Sequence, residues 1–312
     1  MSGISVGAAL GEGFGLIRRR PVSVLAWGAI LVGVQVAGYL LFAPYYLSVF
    51  GALLEGATQS GGGALQALAS PDMQQVRGLQ QLFNFVQLFV TVILYCAVFR
   101  AVVHPERSSF AYLRVGAPEF FLAILGVAAF IALVIGLVIV IIPVAIFSGV
   151  FIGATGQGGG MAAALFILAV VFVAMFAAVI LLGPRFAVVG PMMVADGRFH
   201  LFESWTLTRG RLGNLLLVAL ALFALFLVID IVLAALLIGA GAAAVQSLGG
   251  PAAAVALLRQ SPQALLPRLA PVILVYAVIH VPLSGCLLAI GGAPWARVYR
   301  DLITDPAVET FA

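Results

Sequence analysis

The stretch from Phe120 to Pro184 holds no Asp, Glu, Lys or Arg, an uninterrupted run of 65 residues. One passage through the hydrocarbon core of a bilayer takes roughly 20 apolar residues. The run is about three times that length, so it has to contain more than one membrane helix. The rest of the chain agrees: 64% of its 312 residues are hydrophobic and 8% are charged, whereas a soluble domain carries about 25% charged residues. There is too little polar surface to cover a water-facing globule. The apolar runs are long and unbroken, whereas a barrel strand would alternate over ~10 residues. The expected fold is therefore an all-α membrane protein.

Six spans are predicted, near 22–43, 80–101, 120–142, 162–183, 213–238 and 271–292, forming one integral membrane domain over residues 1–312. The run from Val22 to Ala43 follows three arginines but is longer than a signal-peptide core of 7–15 residues, so it reads as a retained span. All 15 basic residues are arginine. With the N-terminus inside, twelve of them fall on the cytoplasmic side: Arg18–Arg20, Arg100, Arg107, Arg114, Arg185, Arg198, Arg209, Arg211, Arg297 and Arg300. Arg77, Arg259 and Arg268 lie outside. The positive-inside rule then predicts an even number of spans with both termini cytoplasmic, in a bacterial inner membrane. The outer segments 44–79 and 239–270 read as Gly-, Ala-, Ser- and Pro-rich connections, with short interfacial helices interrupted by Pro262 and Pro267, and 143–161 reads as a flexible turn that opens at Pro143.

Little in the chain points to chemistry. Cys96 and Cys286 both fall in apolar stretches and read as packing residues. No P-loop Lys, dinucleotide fingerprint or H-E-x-x-H is present. No cofactor and no metal are expected. The formal charge of +4 speaks to topology rather than to a nucleic-acid partner.

Two flanking segments match at one offset. Glu12, Phe14, Leu16, Arg18 and Arg20 precede the first span, and Glu203, Trp205, Leu207, Arg209 and Arg211 precede the fifth. Phe110 and Arg114 keep the aromatic-to-Arg spacing before the third. The chain thus reads as three units, each an amphipathic segment followed by a helical hairpin. Val6, Leu10, Phe14 and Ile17 recur at helical spacing. Two readings stand side by side. In one, an interfacial helix rests its apolar side in the headgroups while Arg18, Arg19, Arg20, Arg114, Arg209 and Arg211 meet lipid phosphates. In the other, the arginines only fix orientation.

The stretch from Arg185 to Leu215, with Pro191, Asp196-Gly197 and then Ser204, Trp205, Leu207, Thr208, Arg209 and Gly210 directly before a span, resembles the membrane domain of some bacterial glycerophosphodiester phosphodiesterases. It is also similar to related stand-alone membrane proteins. Glu203 stands where that pattern would have a basic residue. The resemblance implies a membrane module without an active site, because a phosphodiesterase barrel takes ≈ 250 residues.

Ionisable groups at membrane depth are functional candidates. Gln35, Gln87, Asp230 and His280 all fall roughly 10–14 Å below the outer boundary at 1.5 Å per residue. Asn84 and Tyr276 extend the polar faces of the second and sixth spans. Spans one, two, five and six would then form the inner bundle, with three and four peripheral. The layer reads either as interhelical glue or as a protonatable site shared by Asp230 and His280. The leading expectation is a non-enzymatic scaffold or lipid-associated accessory. A transporter or channel subunit is the alternative, and an intramembrane enzyme the third. Expected partners are membrane lipids and other membrane proteins.

Overall fold

The computed structural model describes residues 4–58, 71–106, 110–155, 182–247, 249–250 and 262–304, with single positions at 166, 169–171, 173, 177, 253 and 256. Every regular element among them is helical: α1 (Val6–Arg19), α2 (Pro21–Thr58), α3 (Pro71–Val103), a 3₁₀ turn (Phe110–Tyr112), α4 (Ala117–Thr155), α5 (Val189–Asp196), α6 (Glu203–Leu207), α7 (Leu212–Ser247) and α8 (Pro262–Ile303). Five helices are long and apolar enough to cross a membrane: Pro21–Phe42, Gly78–Val103, Phe110–Gly136, Leu212–Ser247 and Ala277–Ile303. They correspond to five of the predicted spans. The fourth, 162–183, falls mostly outside the described residues.

The helices run longer than expected. Pro21, Pro71 and Pro262 open α2, α3 and α8, at the first helical position, where a missing N–H costs nothing. α4 continues through Pro143, and α8 continues from Pro262 through Pro267. The turn predicted to open at Pro143 and the interruption predicted at Pro267 are therefore absent. At 42 residues, α8 is about 60 Å long, twice the hydrocarbon thickness.

α8 is the hub, touching α1, α2, α3, α5 and α7. Its C-terminal half carries small residues at helical spacing: Gly285, Ala289, Gly292, Ala293 and Ala296, the three alanines fully enclosed at 0% exposure. One side of that half packs with Leu16, Val24, Trp27, Leu94 and Val98. The other side presents Ile290, Val298, Tyr299 and Leu302 to Ala9, Val188, Leu215 and Val218. Contact with α2 is backbone against backbone: a β-carbon on Gly28 would strike the Val281 carbonyl and lie 2.8 Å from the Gly285 nitrogen, and one on Gly285 would strike the Val24 carbonyl. α1 crosses where a β-carbon on Gly13 would lie 2.8 Å from Ile290 Cα.

Away from this end the helices present their side chains outward. α7 is packed through Leu215, Val218 and Leu222, then exposes Leu227, Val228, Ile231, Val232 and Leu236. α8 exposes Leu274, Val275, Val278 and Ile279 before closing at Ser284. α4 touches chiefly α3 and α5 and exposes Phe120, Ile124, Phe130 and Ile131. Such surfaces suit a solvent of lipid tails. The peripheral placement of the third span follows from them, whereas the fifth stands less deeply in the bundle than expected.

The flanking segments diverge in local structure. The apolar side of α1 does not face outward: Val6, Leu10 and Ile17 pack on the protein core, and only Phe14 of that set is exposed. α1 stays helical through Arg19, whereas the matched position in the second segment is Gly210, at φ 78°. The third segment is a 3₁₀ turn.

Because Gly28 meets backbone that cannot move aside, Gly28→Ala is expected to lower stability in detergent by about 1–3 kcal/mol. Gly33→Ala, on the same helix with open space around it, is expected to be neutral or to gain up to about 1 kcal/mol. Thermal unfolding of the two variants side by side checks this.

Candidate functional site at the arginine-rich end

The tightly packed half is also where the chain's arginines gather, around the starts of α2, α4 and α7 and the ends of α3 and α8. Two buried carboxylates organise it. Glu119, at 0% exposure, pairs with Arg100. It also accepts the Gly116 N–H at 2.9 Å. That is the geometry of a capping box, in which the third helical residue reaches back to the N-cap amide, and a negative charge there suits the helix dipole. Glu12, in the middle of α1, pairs with Arg19 and stands 3.7 Å from Arg297. Arg297 in turn donates to Asp301 at 2.9 Å.

Between α3 and α4 the backbone is strained. Ala111 and Tyr112 both have positive φ, 53° and 60°, a conformation worth of order 1–3 kcal/mol per non-glycine residue. Four side-chain bonds strap the turn in place. Trp27 Nε1–H donates to the Ala111 carbonyl at 2.8 Å, and Arg100 donates to the Tyr112 carbonyl at 3.2 Å. The Tyr112 hydroxyl donates to the Pro105 carbonyl at 3.0 Å, and Arg20 donates to the same carbonyl at 3.3 Å. Arg20 also sits over the Tyr112 ring, 5.9 Å from its centre. Arg300 caps α3 by donating to the Val102 carbonyl at 3.2 Å.

The segment from Arg185 to Leu212 forms the second part of the site. Gly197, at φ 69°, closes α5 with its N–H on the Met193 carbonyl. Ser204 Oγ donates to the Leu201 carbonyl at 2.9 Å, and Thr208 Oγ1 to the Ser204 carbonyl at 2.7 Å. Both side chains are enclosed. Gly210 takes the left-handed conformation that glycine adopts without steric penalty, turning the chain into α7. The Ser-Trp-Thr-Leu-Thr-Arg-Gly stretch is thus a folded turn that holds Trp205 outward. His200 lies between Glu203 and Asp196, 3.7 Å from the latter. The Arg185 guanidinium stacks on Trp205, its carbon 3.9 Å from the ring centre.

No protein-family model, curated protein or solved structure matches this chain.

Of the six arginines expected to face lipid headgroups, Arg18, Arg19, Arg20, Arg114 and Arg209 are exposed and Arg211 is half-buried. Arg19 and Arg20 are partly committed to Glu12 and Pro105. The expected polar layer is spread over four helices. Gln35 on α2, Gln87 on α3 and His280 on α8 are half-buried, while Asn84 on α3 and Asp230 on α7 are exposed. The Tyr276 side chain lies outside the described residues. Among the described residues Asp230 makes no hydrogen bond or ion pair. Sequence reasoning missed the Arg100–Glu119 pair, the strained turn and the Arg185–Trp205 stack. Gly116-Ala-Pro-Glu119 ahead of an apolar run carries a helix-start signal, but the partners of Glu119 and Trp27 come from other helices.

Trp27→Phe removes one donor and leaves the Ala111 carbonyl unpaired. Stability is expected to fall by about 1–3 kcal/mol, with faster proteolysis between residues 104 and 116. Arg100→Met strands a buried carboxylate and is expected to cost about 3–5 kcal/mol. The double variant Arg100→Met/Glu119→Leu should recover most of that loss in thermal unfolding.

Proposed function

We propose that the chain is a six-span module of a bacterial inner membrane with both termini in the cytoplasm, acting as a non-enzymatic scaffold or lipid-associated accessory. The likeness of residues 185–215 to phosphodiesterase membrane domains belongs to the same proposal. The observation that supports it most is the use of polar groups at the arginine-rich end. Glu12, Glu119, Trp27, Tyr112, Ser204 and Thr208 tie helices and turns together, while arginines and aromatic side chains remain on the surface. That is the chemistry of a headgroup-facing platform.

A second reading, a transporter or channel subunit, is favoured by Asp230. It is exposed and unpartnered among the described residues, in the half of α7 that stands clear of the core. A carboxylate at such depth requires water, a proton or a partner.

Reporter fusions at each terminus are expected to show both on the cytoplasmic side, and opposite sides would exclude an even span number. Asp230→Cys should stay unlabelled by a charged thiol reagent added from outside, with Asp230→Asn unfolding within about 0.5 kcal/mol of wild type. Rapid labelling together with a pH-dependent stability lost in Asp230→Asn would move the assignment to transport.

A further inference from the structure

We propose that Arg185 and Trp205 form a binding site for the phosphate of an anionic phospholipid. This rests on the lipid-associated reading above and locates it at one place. Arg185 lies in the helical stretch 182–187, and Trp205 is on α6. With its carbon 3.9 Å over the ring centre, the guanidinium meets the indole through its π face and leaves its two terminal nitrogens, a pair of donors matched to two phosphate oxygens.

Among the described residues no acidic group neutralises this charge, and the Arg185 Nε is sealed from solvent without an acceptor. The two carboxylates of the same segment, Asp196 and Glu203, face His200. The platform is also rigid, because the Ser204 and Thr208 bonds fix the turn that carries Trp205.

The surroundings select a lipid over a soluble anion. Phe186 is 42% exposed, Phe199 49%, Phe202 81% and Trp205 43%. Aromatic rings at the edge of a membrane protein sit at headgroup depth, where the acyl chains of a lipid would cover them while its phosphate meets the arginine. A free phosphate would leave them bare.

The test uses the full chain in detergent, titrated with phosphatidylglycerol or phosphatidylcholine while the melting temperature is followed. Phosphatidylglycerol is expected to raise the melting temperature of wild type, with an apparent affinity about tenfold weaker in Arg185→Gln, the scale of one lost charge-assisted contact. Trp205→Phe should keep most of the effect and Trp205→Ala should lose it. Should Arg185→Gln fail to fold, brominated phosphatidylglycerol should quench Trp205 in the native chain, with the signal absent in Trp205→Phe. An Arg185→Gln response equal to wild type, or no quenching, overturns the site and leaves lipid association standing. An equal effect from inorganic phosphate makes it a free-anion site. A wild type indifferent to phosphatidylglycerol overturns the site and the lipid-associated reading together.

Discussion

Within a bilayer, helices gain little by hiding leucine from lipid, so their association depends on how closely their backbones can approach. Here the approach is set by Gly28 against Gly285 and by Gly13 against Ile290. These contacts bring α1 and α2 onto α8, and the alanines of α8 extend the same close packing along its C-terminal half. Everything else at the arginine-rich end is positioned from there: α3 lies in the adjoining groove, and α5 and the start of α7 pack on the opposite side.

Close packing at one end makes the polar clamp possible. Trp27 sits one residue before Gly28, so the glycine contact that seats α2 also seats the indole that holds the Ala111 carbonyl. Arg100, near the end of α3, reaches both the Tyr112 carbonyl and Glu119. A buried carboxylate, a half-buried arginine and two strained residues stabilise one another. Removing any one leaves a charge, a carbonyl or an unfavourable φ without its compensation. Arg18, Arg19, Arg20, Arg114 and Arg209 are left at the surface.

The membrane class was legible because it depends on composition and run length. At the arginine-rich side the helix ends near Pro21, Val103, Ala117 and Leu212 were legible for the same reason, because the charges that mark them also terminate the apolar runs; the end of α8 was not, since that helix runs past Arg297 and Arg300 to Ile303. Helix ends at the other side were not, since prolines such as Pro262 and Pro143 start or bend a membrane helix as readily as they stop one. The repeat overstated likeness, because Arg19 and Gly210 occupy matched positions and glycine alone adopts the left-handed turn freely. Asp230 and His280 stood out in sequence because charge at depth is rare. Glu119 did not, because it directly precedes an apolar run and its arginine lies on another helix. Close glycine contacts leave no mark on hydropathy; only a three-dimensional neighbour tells Gly28 from Gly33.

Tryptophan scanning along α8, with folded yield read by size-exclusion chromatography, tests the hub role of this helix most directly. The account predicts intolerance on every face from Ser284 to Leu302, where residues on both sides of the helix are enclosed. It predicts tolerance at Leu274, Val275, Val278 and Ile279, which are exposed. A pattern of one intolerant face repeating along the whole helix would make α8 a peripheral helix and contradict the account.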